Sequence, residues 1–397
     1  MVEQDRCHDI NAWEQRPFGK VYTRCTEKNN PIRFGVDKII TVASMQYAPR
    51  HGCTNNEYLL TYNVMKLGDI AFEGHRNKRF PFGRFVENMI GEGIVSHVFS
   101  VYRPIVKQSS LLFLKYYINN DYVIRNMLRK STIAATMMRT LVDADLMRQT
   151  LTLPSGREQE KIGKLFVDID NLIDAEKRKL DLLQKKKRAL LRQIFEQKLR
   201  FAGYNNPWER CRLGDITEFA DYGIAASAIP YDGTVRYLRI TDIDDETRQV
   251  NIYELPSPDM KHRSRKEDYL RQGDLVFART GASVGKTYLN RSDRDDIVHA
   301  GFLIRFRLKD NICPEFIYQQ TLGENYRKFI AITSQRSGQP GINSSEYADW
   351  TLYLTSIEEQ NQIGGLFGQL DELIAALTQK IDLLMIKKKA LLQQMFV

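Results

Sequence analysis

The chain has 397 residues, 43% of them hydrophobic and 27% charged, which is enough apolar material for two or three buried cores and excludes disorder as the main state. No apolar run approaches the roughly 18 residues a membrane helix needs, and the opening Met-Val-Glu-Gln-Asp-Arg lacks the basic-then-apolar order of a secretory leader, so a cytoplasmic location is expected. Lysine and arginine exceed acid by nine, which favours a polyanionic partner. Five cysteines (Cys7, Cys25, Cys53, Cys211 and Cys313) are odd in number and far apart, and spell neither a disulfide framework nor a paired zinc site.

Taken in chain order, residues 1–153 read as a mixed globular unit. Ile39-Ile40-Thr41-Val42 is strand-like, whereas Tyr58-Leu59-Leu60 and Leu111 to Leu128 look helical or mixed. Turn residues near Pro154 end this unit, and residues 154–200 read as one long helix. A second turn cluster, Gly203-Tyr204-Asn205-Asn206-Pro207, opens a second mixed unit over 201–354. Its strand signals are Val235 to Ile240 and Gly301 to Phe306, and a second long helix fills 355–397.

The two helices are copies. Glu158 to Phe195 aligns without a gap on Glu359 to Phe396, at a constant offset of 201, and such a repeat dictates architecture more firmly than local propensity does. Apolar residues recur in steps of three and four at Ile162, Leu165, Ile169, Leu172, Leu180, Leu183, Leu190 and Ile194, with Glu176 and Lys187 interrupting. The second copy repeats this at Ile363, Leu366, Leu370, Leu373, Leu377, Ile381, Leu384, Leu391 and Met395, with Lys388 where Lys187 stood. Neither copy contains proline, and each helix would run about 57 Å, too exposed to stand alone. The expected fold is α+β: two globular units and two long helices in an antiparallel intramolecular coiled coil, a pseudo-twofold repeat.

Three segments could meet nucleic acid. Gly281-Ala282-Ser283-Val284-Gly285, flanked by Arg279, Thr280 and Lys286, is a glycine-bearing loop that offers backbone amides and cations to phosphates or bases. Its G-x-S-x-G string would mark a serine hydrolase only where a strand turns into a helix, and Lys286 to Leu289 reads as a second strand instead. It also lacks one residue of a phosphate-binding P-loop and the parallel βα context. The corresponding place in the first unit, Glu73 to Arg84, carries Arg76, Lys78, Arg79 and Arg84 among Phe and Gly. Thr333 to Asn343 presents Gln335, Arg336, Ser337 and Gln339 to base edges, and Arg239 is a further candidate. The basic clusters Lys185–Arg188 and Lys387–Lys389 read as solvated or partner-facing helix surface. No metal-spaced cluster and no catalytic motif is present.

The chain resembles the specificity subunit of type I restriction-modification systems, over essentially its whole length. The residues that carry this are the two helical repeats, each preceded by Leu-Thr-Leu-Pro-Ser (151–155) or Leu-Tyr-Leu-Thr-Ser (352–356) and by Glu158-Gln159 or Glu359-Gln360. Trp13-Glu14 and Trp208-Glu209, the Gly68-Asp69 and Gly273-Asp274 turns, and Gln335 to Asn343 add to them. The resemblance implies a noncatalytic reader of double-stranded DNA whose two target-recognition domains each address half of a split, asymmetric sequence. It also implies that the helices act as spacer and docking surface for two modification subunits. Restriction subunits join the full complex, and S-adenosylmethionine, ATP and magnesium belong to the partners, leaving this chain without a cofactor or metal. Inserting four residues into both helices should then lengthen the spacer. The first unit lacks a clear equivalent of Tyr237 to Ile243 and of Gln335 to Pro340. A coiled-coil scaffold without sequence-specific reading is the competing class, separated from the first by salt-sensitive, sequence-specific binding.

Overall fold

A computed structural model describes residues 13–48, 56–75, 78–105, 111–135, 138–259, 268–335 and 339–396. The chain forms two compact units, Met1–Lys177 with Gln379–Val397, and Arg178–Thr378. The division falls within the long helices, so each unit owns the first half of one and the second half of the other. The α+β class expected from the sequence holds in both.

The first unit is built on a four-stranded antiparallel sheet in the order Tyr22–Cys25, Val101–Pro104, Ile70–Glu73, Arg84–Glu87. The second repeats that order with Thr217–Tyr222, Leu303–Leu308, Leu275–Ala278 and Thr287–Leu289. The Gly-Asp turns explain part of this. Asp69 is fully buried and accepts the Lys66 amide at 2.7 Å and both arms of Arg103 at 2.8 and 2.9 Å. Asp274 does the same with the Arg271 amide at 2.7 Å and Arg307 at 2.6 and 2.8 Å. A buried carboxylate needs such charge-assisted partners, and these ones tie the turn to a neighbouring strand.

The strand-like segments before the long helices are edge strands. Thr150–Leu153 pairs antiparallel with Glu14–Pro17, and Thr351–Leu354 with Glu209–Arg212. Leu111–Ile118 and Asp121–Ser131 are helices in the first unit, as are Pro314–Thr321 and Glu324–Thr333 in the second. The stretch around Tyr237 is a strand, Arg236–Leu238, parallel to Ile297–His299. That part of the first unit instead holds short antiparallel pairs, Ile40–Thr41 with Gln46–Tyr47 and Asn63–Met65 with Gly93–Val95, which is why no sequence counterpart was visible.

The long helices run Gly156–Phe195 and Ile357–Met395. Within the first unit they are antiparallel, Asp170 meeting Lys388 and Glu176 meeting Lys380. Within the second, Lys187 meets Asp371, and Arg200, just past the end of the first helix, meets Glu359 at the start of the other. The covered line of the first helix passes through Ile162, Phe166, Ile169, Ile173, Glu176, Leu180, Leu183, Lys187, Leu190 and Ile194, alternating steps of four and three as a heptad seam does. This corrects the sequence reading at three places. Leu165, Leu172 and Leu373 are 42, 43 and 49% exposed, one step off the seam, while Phe166, Ile173, Phe367 and Ile374 are buried. Glu176 and Lys187 do not interrupt the seam; they lie on it.

One glycine in each helix permits close approach. A Cβ on Gly163 would stand 2.6 Å from the Phe113 amide nitrogen, and one on Gly364 would stand 2.9 Å from Cys313 Sγ and 3.2 Å from the Phe316 nitrogen. Each globular unit thus seats the start of a short helix directly on long-helix backbone.

Candidate nucleic-acid interface

In the second unit the sheet's hairpin turn and the stretch after helix Glu324–Thr333 form one surface. The antiparallel pairing of Leu275–Ala278 with Thr287–Leu289 makes Arg279 to Lys286 a hairpin loop, with Gly281–Ser283 in a single tight turn. Ser283 therefore lies between two strands, and the strand-to-helix setting of a hydrolase nucleophile is not formed. The Gly281 amide donates to Pro340 O at 3.0 Å, Ile342 N donates to Arg279 O at 2.9 Å, and Thr280 bridges Gly341. Tyr347, buried beneath, donates to Ala278 O at 2.7 Å and accepts the Gly285 amide at 3.0 Å. Two loops read separately in the sequence are thus locked together.

The side chains on that surface are Arg279, stacked on Tyr222 at 4.7 Å, and the exposed Gln335 and Gln339, the latter lying over Gly281. Phe302, 64% exposed, adjoins through its carbonyl, which accepts Arg279 N at 3.1 Å. Thr280 and Ser283 are half-buried in the loop. Tyr222 and Phe302 were not found from the sequence, since their neighbours in space are remote in the chain. Arg336 and Ser337 lie outside the described residues.

Two second-unit candidates are corrected. Lys286 is only 5% exposed, and its ammonium donates to Ile243 O at 2.9 Å and pairs with Asp245, so it holds the loop's base. Arg239 turns both its Nε and Nη2 onto Asp242, at 3.0 and 2.7 Å, which occupies the fork a guanine would need.

The first unit repeats the arrangement with different chemistry. Its hairpin loop between Ile70–Glu73 and Arg84–Glu87 stands in the equivalent sheet position. Two guanidinium groups lie over the Phe80 ring, Arg79 at 5.0 Å and Arg84 at 5.1 Å, and Lys78 is exposed. Arg84 is corrected as a reader: its Nε donates to Glu73 at 2.6 Å and its Nη2 to Ala43 O at 2.8 Å. Arg76 lies outside the described residues. The loop is joined by a second hairpin, Thr132–Ala134 with Arg139–Leu141. Arg139 N donates to Gly74 O at 2.7 Å, Met138 bridges His75, and the Arg139 guanidinium stacks on Phe82 at 5.2 Å. This is the counterpart of Ser334 to Ile342 missing from the sequence reading. The signal was present, because the 201 offset of the helices also carries the short helix Asp143–Arg148 onto Ser344–Ala348, and with it the residues just before.

Among the described residues no group of His, Cys, Asp or Glu is arranged to hold a metal ion, and no helix is long and apolar enough to cross a membrane.

Residues 205–384 match the family described as the type I restriction modification DNA specificity domain. The type I restriction enzyme MjaVIII specificity subunit of Methanocaldococcus jannaschii is 22% identical over 247 residues, a match covering 56% of this chain and about half, 56%, of that protein. The S subunit of a type I restriction-modification system from M. genitalium shares the fold, with a TM-score of 0.61 at 12% identity over 100% of this chain and 99% of that one. Residues 205–384 thus match the type I restriction modification DNA specificity domain, and the chain as a whole has the fold of a type I restriction-modification S subunit.

Proposed function

We propose that this chain is the noncatalytic DNA-recognition subunit of a type I restriction-modification complex, reading a split, asymmetric target with one unit for each half. The observation that carries the proposal is the paired loop surface, formed twice on equivalent sheets. In each unit a cation-bearing hairpin loop is hydrogen-bonded to a second loop, at Gly281 with Pro340 and at Gly74 with Arg139. Cations stacked on aromatic rings supply phosphate attraction and rigid, bidentate-capable donors. Because the two surfaces differ in residues, the two half-sites differ in sequence.

The same proposal extends to partners. Each unit exposes a matching pair of leucines on its long helices, Leu172 and Leu383 in the first and Leu373 and Leu182 in the second, all between 43 and 54% exposed. The pairs correspond at the 201 offset, so they suit two copies of one modification subunit. S-adenosylmethionine, ATP and magnesium then act on the partner subunits, and restriction subunits complete the assembly.

The test is a methylome. The chain is expressed with its cognate modification subunit in a host free of other methylation, and modified adenines are mapped at single-base resolution. A split motif methylated only in the presence of this chain is the expected result. A complex that assembles and yields no motif would make the chain a scaffold.

A further inference from the structure

The two equivalent loops that flank the hairpin turns carry opposite chemistry. Ala134 and Met138 of the first unit stand one repeat before Gln335 and Gln339 of the second. Gln335 and Gln339 are exposed amides, each able to donate and accept at a base edge. The first unit instead exposes Ile133 by 59% and Met138 by 38% on its hairpin. These apolar side chains do not sit on a neutral surface. Met138 bridges His75 of the basic loop, Arg139 stacks on Phe82, and Lys78 is exposed in the same loop. An exposed apolar tip framed by cations suits a polyanion that carries apolar groups, and on the major-groove edge of DNA that group is the thymine methyl.

We infer that the first unit reads its half-site by apolar contact between Met138 and thymine methyl groups, with Ile133 adding apolar surface on the same hairpin, whereas the second unit reads through the amides of Gln335 and Gln339. The inference rests on the DNA-reading proposal above. It predicts half-sites that differ in the kind of contact as well as in sequence.

Uracil, which pairs as thymine does and lacks the methyl, is the probe. The complete complex with its modification subunit is first given its motif by the methylome, and the half-site relaxed by Gln339→Ala is assigned to the second unit. Duplexes then carry uracil in place of each thymine of the other half-site in turn, and their affinities are measured. At one or more positions uracil weakens binding about fourfold, the worth of one buried methyl. Met138→Ala binds the thymine and uracil duplexes equally, and Met138→Leu, which keeps an apolar tip, retains the difference. A half-site insensitive to uracil throughout, a Met138→Ala complex that still discriminates, or a Gln339→Ala complex with an unchanged motif overturns the inference while leaving DNA reading intact. Absence of any split motif removes the DNA-reading proposal itself.

Discussion

Lys187 donates to Asp371 from within the apolar seam of the second unit, and the same pair one repeat apart, Lys388 with Asp170, closes the seam of the first. Both pairs sit in the same antiparallel register, and each carboxylate takes a further donor from its globular unit: Gln319 at 2.8 Å on Asp371, and the Tyr116 hydroxyl at 2.7 Å on Asp170. A polar residue at a seam position fixes register because any slip leaves it buried without a partner. Lys187→Met should therefore lower stability by about 1.5–3 kcal/mol, the range for a lost charge-assisted bond. The double change Lys187→Leu with Asp371→Leu should recover much of that loss. Thermal melting of the two variants beside the unsubstituted chain checks both, and a double variant no better than the single one would remove the register argument.

Phe396 packs its ring 5.6 Å from Phe113 and 5.8 Å from Phe166, so the last described residue of the chain completes the core of the first unit. Phe195, its counterpart, stands 5.5 Å from Phe316 and 6.1 Å from Phe367 in the second. Phe396→Ala should cost about 3–5 kcal/mol, as large-to-small core changes do. Hydrogen exchange should rise across residues 13–177 while most of 178–378 stays protected. Phe195→Ala should reverse the pattern. Uniform loosening of both units by either variant would contradict the crossed ownership of the helix ends.

The helices, their pairing and the edge strands before them were legible because repetition and periodicity are local signals. The seam was misplaced by one position at Leu165, Leu172 and Leu373 because leucine was weighted over the phase that Phe166, Ile173 and Ile374 set. The polar seam residues Glu176 and Lys187 looked like breaks for the same reason. At the candidate interface the hairpin loops were found from glycine and charge, but Tyr222, Phe302, Met138 and Arg139 were missed, since only tertiary pairing brings them to the surface. Burial decided the remaining differences: nothing in the sequence near Lys286 says that Ile243 and Asp245 will enclose its ammonium.

Two buried titratable groups give the units opposite responses to pH. Burial pushes the Glu87 carboxyl of the first unit up to about 9, with Lys115 opposing, and burial pulls His299 of the second unit down to about 4. For Glu87 the folded value lies above the unfolded one, so its contribution is complete below about 4.5 and is lost as pH rises towards 9. For His299 the folded value lies below the unfolded 6.5, so the contribution is complete above that pH and is lost as pH falls towards 4. Glu87→Gln should flatten the alkaline loss of stability of the first unit, and His299→Phe the acid loss of the second. Melting curves from pH 4 to about 9, read with exchange protection in each unit, check the sign; a first unit that is stabilised by alkali would reject the Glu87 assignment.

Arg279 and Lys286 lie at the two ends of one loop, and their surroundings separate reading from support. Arg279 is half-exposed and lies over the Tyr222 ring, a fork with donors to spare; Lys286 is buried and already paired. Arg279→Ala should leave the melting temperature nearly unchanged and relax one position of one half-site, at about 1–3 kcal/mol of discrimination. Lys286→Met should do the reverse. It strands the Ile243 carbonyl and the loop base, costs about 1–3 kcal/mol of stability, and leaves the methylated motif as it was. Motif mapping and thermal melting on the same two variants distinguish the roles. If Arg279→Ala weakens every sequence equally and reduces the salt dependence of binding, the guanidinium meets phosphate, and the base-reading role passes to Gln335 and Gln339 alone.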